Sequence, residues 1–184
     1  YLKNRGINTM DILKYQIGYC ENGRYANKII IPTYNADGQL DYFVARSFEK
    51  EPSRKYDAPS SYKNIIGFEN MINWNVPIVL CEGAFDAISI KRNAIPLFGK
   101  NISKKLMQKL VTSEVKKVYL ALDKDAIKST FKIAEQLLKA GKKLFVVDLD
   151  DKDPSDMGFA LFTNKIQKSQ EFTFSSLLNL KLSL

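Results

Sequence analysis

Three short acidic groups hold the residues of this 184-residue chain best suited to chemistry. The first is Glu82-Gly83, with Asp86 one helical turn further on. The second is Asp123-Lys124-Asp125. The third gathers Asp148, Asp150, Asp151, Asp153 and Asp156 around Lys152. Each group follows a short apolar run of strand character, namely Ile78 to Cys81, Lys117 to Leu122 and Lys143 to Val147. In parallel α/β sheets functional groups collect at the carboxyl ends of the strands, so the spacing predicts all three groups on one sheet edge. Carboxylates crowded there raise one another's pKa or recruit a divalent cation. Oxygen-only donors suit Mg2+ or Mn2+. Beside lysines, such a site serves phosphoryl or nucleotidyl transfer. Gly83 lets the backbone come close to whatever Glu82 holds.

Composition narrows the chemistry further. Histidine is absent and there are two cysteines, Cys20 and Cys81. Imidazole acid–base chemistry, Ser-His or Cys-His nucleophiles and zinc in this chain are therefore excluded. The net charge of +8 points toward polyanions, most often nucleic acid. Six lysines lie between Gly99 and Val118 against the single Glu114, and Lys104, Lys105 and Lys109 share one face of a predicted helix. That face is either a phosphate track or an ordinary solvated surface. Structural roles compete elsewhere too: Asp123 or Asp125 could cap the helix that follows them, and Asp153 or Ser155 could open the last helix around Pro154.

The elements that must position these residues follow from periodicity. Asn8 to Gly18 reads as a short helix with Met10, Ile12, Leu13 and Ile17 as its apolar stripe. Lys28 to Tyr34 and Leu40 to Phe48 flank Asp37-Gly38 and form a hairpin. Residues 49 to 64 are polar and read as loop. After Pro77, strands at 78–81, 95–98, 117–122 and 143–148 alternate with helices at 84–93, 103–111 and 126–140, which specifies a parallel α/β sheet. A helical stretch closes the chain at 175–184. No run of about 18 apolar residues exists, so no membrane span is expected. The opening Tyr1-Leu2-Lys3-Asn4-Arg5 has neither an initiator Met nor a signal-like stretch, and the chain reads as a fragment of a longer protein.

Val79-Leu80-Cys81-Glu82-Gly83-Ala84-Phe85-Asp86, then Leu120-Ala121-Leu122-Asp123-Lys124-Asp125, then Lys152-Asp153-Pro154-Ser155-Asp156, resemble the Toprim domain of DnaG-type bacterial and phage DNA primases. Toprim domains also serve topoisomerases, nucleases and recombination factors. The first seventy-odd residues point to the primase catalytic core: Tyr1 to Ile7, Lys28 to Pro32 with the Asp37-Gly38 turn and Arg46, Pro52 to Pro59 around Lys55-Tyr56, and Gly67-Phe68.

The resemblance implies an α/β fold, a Toprim-like parallel sheet with helices on both faces plus a small mixed α+β amino-terminal lobe. Its expected division is a basic lobe over 1–76, the Toprim domain over 77–158 and a truncated helical tail over 159–184. It implies metal-dependent synthesis of short RNA primers on a single-stranded DNA template from nucleoside triphosphates, in the cytoplasm of a bacterial cell or phage-infected host. Glu82, Asp123 and Asp125 would be catalytic. With Asp153 they would hold Mg2+ or Mn2+, as two or more ions, supported by Asp86 and Asp156. Arg46, Lys55, Lys28 and Lys124 would contact nucleic acid or nucleotide. A replicative helicase and a separate zinc-binding module are the implied partners. The family writes Asp-x-Asp-x-Ala-Gly where this chain has Asp123-Lys124-Asp125-Ala126-Ile127-Lys128, which leaves two other readings open: a Toprim nuclease or nickase, and a non-catalytic single-strand or replisome-binding module.

Overall fold

The computed structural model describes residues 1–49, 52–59, 64–123, 126–150 and 152–182. Two sheets organise it. Strands β1 (Gly18–Cys20), β2 (Lys28–Tyr34), β3 (Leu40–Ser47) and β4 (Tyr56–Asp57) form an antiparallel sheet in sequential order. The second sheet contains β5 (Ile78–Cys81), β6 (Ala94–Pro96), β7 (Lys117–Ala121), β8 (Lys143–Val146) and β9 (Glu171–Phe172), in the order β6-β5-β7-β8-β9. The pairs β5–β6, β5–β7 and β7–β8 are parallel, and β9 closes the edge of β8 antiparallel. The helices are α1 (Thr9–Lys14), α2 (Ala84–Ile90), α3 (Lys104–Thr112), α4 (Ile127–Lys139), α5 (Pro154–Lys168) and α6 (Phe174–Leu182).

All four residues of β5 are buried because both faces of the parallel sheet are covered. Ile78 and Leu80 join Val118, Leu120 and Leu144 under α3, α4 and α6. Val79 and Cys81 face the other way, into a cluster with Phe85 and Ile88 of α2 and Phe162 of α5. That second cluster also takes Ile7, Tyr15, Ile17, Ile29, Ile31 and Phe68. The amino-terminal lobe therefore shares a core with one face of the parallel sheet. The expected α/β class, with helices on both faces and a mixed amino-terminal lobe, is what the structure has.

Local signals explain most boundaries. Asn8 and Asp11 cap α1 reciprocally, at 3.0 and 2.9 Å. Ser103 Oγ accepts from Leu106 N–H at 3.0 Å and opens α3. The β2–β3 hairpin turns on Gly38 at φ 77°, with Asn35 Oδ1 accepting from the Asp37 and Gln39 N–H groups. Several expectations need correction. Met10 and Leu13 are 72% and 66% exposed, so α1 buries Tyr15 and Ile17 beyond its end rather than a full stripe. β4 lies in the stretch expected to be loop, and β9 was not foreseen.

The lysine face of α3 is neither expected surface in full. Lys105 Nζ lies 2.7 Å from Glu69 and 3.9 Å from Asp41, and Lys109 Nζ stands 5.4 Å over the Trp74 ring. Lys105 ties α3 to the amino-terminal half of the chain. Lys91 does the same from the end of α2, at 2.8 Å from Asp11. No helix among the described residues is long and apolar enough to cross a membrane.

The packing yields a stability contrast. Leu80→Ala empties a fully buried site in the central strand and should cost about 2–5 kcal/mol. Leu13→Ala on the exposed face of α1 should stay within about 0.5 kcal/mol. Urea unfolding midpoints at constant slope read both.

Candidate active site

Parallel register brings the first two acidic groups together. Cys81 pairs with Ala121, so the residues that follow leave the sheet at the same edge, and Asp123 N–H donates to Glu82 Oε1 at 3.1 Å. Glu82 is also in contact through its backbone with the neighbouring strand end, where Gly99 N–H donates to its carbonyl at 3.2 Å. Asp86, in the first turn of α2, accepts from Gly83 N–H at 3.0 Å and from Ser155 N–H at 3.3 Å. The second bond couples α2 to the start of α5. A Cβ on Gly83 would sit 2.8 Å from Asp86 Oδ2, so the glycine makes that close approach possible.

The third acidic run divides. Asp153 occupies the N-cap position of α5 with Pro154 behind it, yet its side chain makes no capping hydrogen bond. Asp153 lines the same cleft as Glu82, Asp86 and Asp123. Asp148 instead lines a separate hollow beside Lys165 and Lys168, and Asp150 pairs with Lys165. Asp156 lies 4.0 Å from Arg5 Nη1, which also donates to Ser155 Oγ at 3.2 Å. The N-cap position of α4 is Ala126, without a side-chain cap. Lys124 and Asp125 lie outside the described residues.

The cleft has a volume of about 600 Å3. Glu82, Gly83, Asp86, Asp123 and Asp153 form one wall, and Tyr42, Val44, Arg54, Tyr56 and Asp57 of the amino-terminal lobe form the other. Burial, then the nearby Asp153 carboxylate, push the Asp86 pKa up to about 6. Two backbone N–H bonds oppose that rise without cancelling it. Burial pushes the Cys81 thiol far above its ordinary value, so it stays a neutral core group. In donor type, carboxylate oxygens only, the wall is of the kind that suits a hard divalent cation. Among the described residues, no three of these carboxylates are gathered closely enough to hold an ion.

Basic residues back the opposite wall. Arg46 on β3 is 5% exposed, with its guanidinium 4.3 Å over the Tyr56 ring and 5.8 Å from that of Tyr1. Its Nε and Nη1 groups have no hydrogen-bond partner among the described residues. A buried cation with unmet donors calls for an acceptor. Lys28 Nζ reaches Asp57 at 3.2 Å, while Arg24 and Arg54 each approach the same carboxylate at 3.6 Å. Burial raises the Asp57 pKa, but hydrogen bonds from Lys28 and from Ala58 N–H outweigh it and leave the group below its usual value. Lys55 is exposed, and its carbonyl accepts from Ser47 N–H at 3.2 Å.

The structure therefore collects Glu82, Asp86, Asp123 and Asp153 at one cleft and places Asp156 behind it on Arg5. Sequence reasoning did not single out Arg5, Arg54 or Asp57. Arg5 meets Ser155 and Asp156, and Asp57 meets Arg24 and Lys28, across long stretches of chain, whereas the Arg54–Asp57 pair is local, three residues apart.

A Toprim-like family model matches residues 79–157. Protein MG010 of Mycoplasma genitalium is 33% identical over 173 residues, covering 85% of this chain and 77% of that protein. The DNA primase of Thermotoga maritima is 23% identical over 205 residues, covering 85% of this chain and 36% of the primase. Among solved structures, the DnaG primase catalytic domain bound to single-stranded DNA superposes with a TM-score of 0.81 at 17% identity, covering 99% of this chain and 74% of that one. The zinc-binding and RNA polymerase domains of the Aquifex aeolicus primase give 0.77 at 20% identity, covering 93% of this chain. The chain spans 55% of that primase fragment. The chain thus has the fold of the DnaG-type primase catalytic cores, with a Toprim-like region at residues 79–157. Within that class, the chain belongs to the family of the mycoplasmal protein MG010.

Asp86 makes the site's pH behaviour measurable. In EDTA, its folded pKa of about 6 against an ordinary 3.8 means that the folded protein holds this proton more tightly than the unfolded chain. Unfolding free energy should therefore fall as pH rises from about 4 to about 6, by up to about 3 kcal/mol from this group. Urea melts across that range, comparing wild type with Asp86→Asn, should show the difference between the two changing with that sign. A flat difference would contradict the burial of this carboxylate.

Proposed function

We propose that the protein is a primase catalytic core that synthesises short RNA primers on single-stranded DNA. The reading is carried by one observation: the cleft sets Glu82, Asp86, Asp123 and Asp153 against a lobe that carries Arg46, Lys28, Arg24 and Arg54. An acidic wall facing a basic one suits a reaction in which polyanions meet around a cation. In the reaction proposed, a 3′-hydroxyl attacks the α-phosphorus of a nucleoside triphosphate, a new P–O bond forms, and pyrophosphate leaves.

Glu82, Asp123, Asp125 and Asp153 would hold Mg2+ or Mn2+, which would supply charge neutralisation on the reacting phosphate oxygens. Asp86 fixes the start of α2 and α5 through its two backbone bonds, and Asp156 supports the same corner through Arg5. Glu82 is the carboxylate assigned to take the hydroxyl proton. The unmet donors of Arg46 are assigned to a phosphate or base acceptor, with Lys28, Lys55 and Lys124 as further phosphate contacts. The single-stranded template, the nucleoside triphosphates, a replicative helicase and a separate zinc-binding module complete the proposed assembly, in the cytoplasm of a bacterial cell or phage-infected host.

Incorporation of labelled nucleoside triphosphates on a mixed-sequence single-stranded template, with a zinc-binding module supplied in trans, tests the reading. Wild type should make short RNA products with Mg2+ or Mn2+ and none in EDTA. Asp123→Ala should lower the yield at least about a hundredfold, since loss of a metal ligand forfeits several kcal/mol of charge stabilisation. Template shortening without nucleotides would instead establish a nuclease. Salt-sensitive DNA binding that ignores the cation and tolerates Asp123→Ala would establish a binding module.

A further inference from the structure

One aromatic side chain in the cleft has no part in the carboxylate chemistry. β6 was expected to run through Phe98 but ends at Pro96. The residues on either side of Phe98 are tied to the end of β5: Leu97 N–H donates to the Cys81 carbonyl at 2.8 Å, and Gly99 N–H to the Glu82 carbonyl at 3.2 Å. Between these two bonds Phe98 takes φ 54°, in the left-handed region that disfavours a bulky L residue. Strain of this kind persists only where the surroundings over-determine it. Here they hold a ring in place. Tyr42 meets Phe98 at 5.3 Å and 56°, and Phe68 meets it at 6.4 Å and 79°. Both supporting rings are buried, whereas Phe98 is half-buried and lines the cleft on the wall of Glu82 and Asp123.

We propose that Phe98 is a nucleobase-stacking residue, on which a planar heteroaromatic base rests while its phosphates lie toward the strand-end carboxylates. Tyr42, which lines the cleft from the other wall, meets the ring tilted, and Phe68 meets it edge-on; neither stacks on it, and together they fix its orientation. The backbone bonds to Cys81 and Glu82 fix the ring relative to the carboxylate that the reaction uses. Every base offers a π-face, so such a platform binds all four bases, with larger purines gaining more contact than pyrimidines. The inference rests on the primase reading and adds to it the part of the substrate that the carboxylates and cations do not address.

Phe98→Leu tests it, because leucine keeps an apolar side chain under the same backbone demand while removing the π-face; Phe98→Trp restores one. The measurements are kcat and KM for ATP and CTP in primer synthesis. Dissociation constants for fluorescent ATP and for a labelled deoxyoligonucleotide are measured with Mn2+, and thermal melts are run alongside. Phe98→Leu should raise the ATP KM and Kd about tenfold, and those for CTP by less. The Trp variant should stay within about twofold of wild type, and kcat and Tm should hold in both. A tenfold loss confined to the oligonucleotide would support stacking of a template base instead of the incoming one. If the leucine variant leaves all these affinities unchanged, or lowers kcat and Tm without distinguishing ATP from CTP, the inference is overturned while an active wild type leaves the primase reading standing. A wild type that neither makes primers nor binds nucleotide or DNA would overturn both.

Discussion

Val79 and Cys81 project from the central strand toward Phe85 and Ile88, and the same apolar cluster receives Ile7, Tyr15, Ile31 and Phe68 from the other lobe. The cleft depends on this seam. Burial of apolar area is worth roughly 25 cal/mol per Å2, and it is the strongest force available to hold two sheets of different kinds in one orientation. The ion pairs at the margin, Lys91 with Asp11 and Lys105 with Glu69, are partly exposed and contribute less energy than register. Where the seam reaches the carboxyl ends of β5 and β7, the lining turns polar. A carboxylate wall cannot be packed dry, so the lobes part there and a cleft remains.

Charge is sorted across that opening. One wall holds carboxylates, and burial first, then the neighbouring Asp153 carboxylate, raise the pKa of Asp86 there. The other is lined by Arg54 and Asp57 and backed by Arg46, wedged among aromatic rings with donors unmet among the described residues, and by Lys28 and Arg24 around Asp57. The Tyr1 ring lies 5.3 Å from the Arg5 guanidinium and 5.8 Å from that of Arg46, so the amino-terminal segment packs against the guanidinium groups behind the cleft.

Much of this was legible before the structure. The apolar runs ending in Glu82, Asp123 and Asp148 marked strand ends, and alternating helices required a parallel sheet. What was not legible came from contacts between distant residues. The lysines of α3 looked like one face, but Lys105 is engaged by Glu69 and Asp41 of the preceding lobe. The aspartates from Asp148 to Asp156 looked like one group, but the turn into α5 sends Asp153 to the cleft and leaves Asp148 beside Lys165. Phe98 looked like the last residue of a strand, and its left-handed backbone depends on bonds from its neighbours to the adjacent strand.

The sequence by itself determined the kinds of donor available and the order of the elements. With no histidine and two cysteines, oxygen chemistry was the remaining metal chemistry, and periodicity of the apolar residues specified strands, helices and their alternation. Those properties are local, set by dihedral preferences and by which side chains avoid water. Only the tertiary structure decided which carboxylates share a cleft, which cations oppose them and which ring faces the opening. Such choices turn on partners as far apart as Glu82 and Asp123, 41 residues, or Arg5 and Ser155, 150 residues. No local pattern records which way a side chain points after a turn; packing against the distant partner settles it.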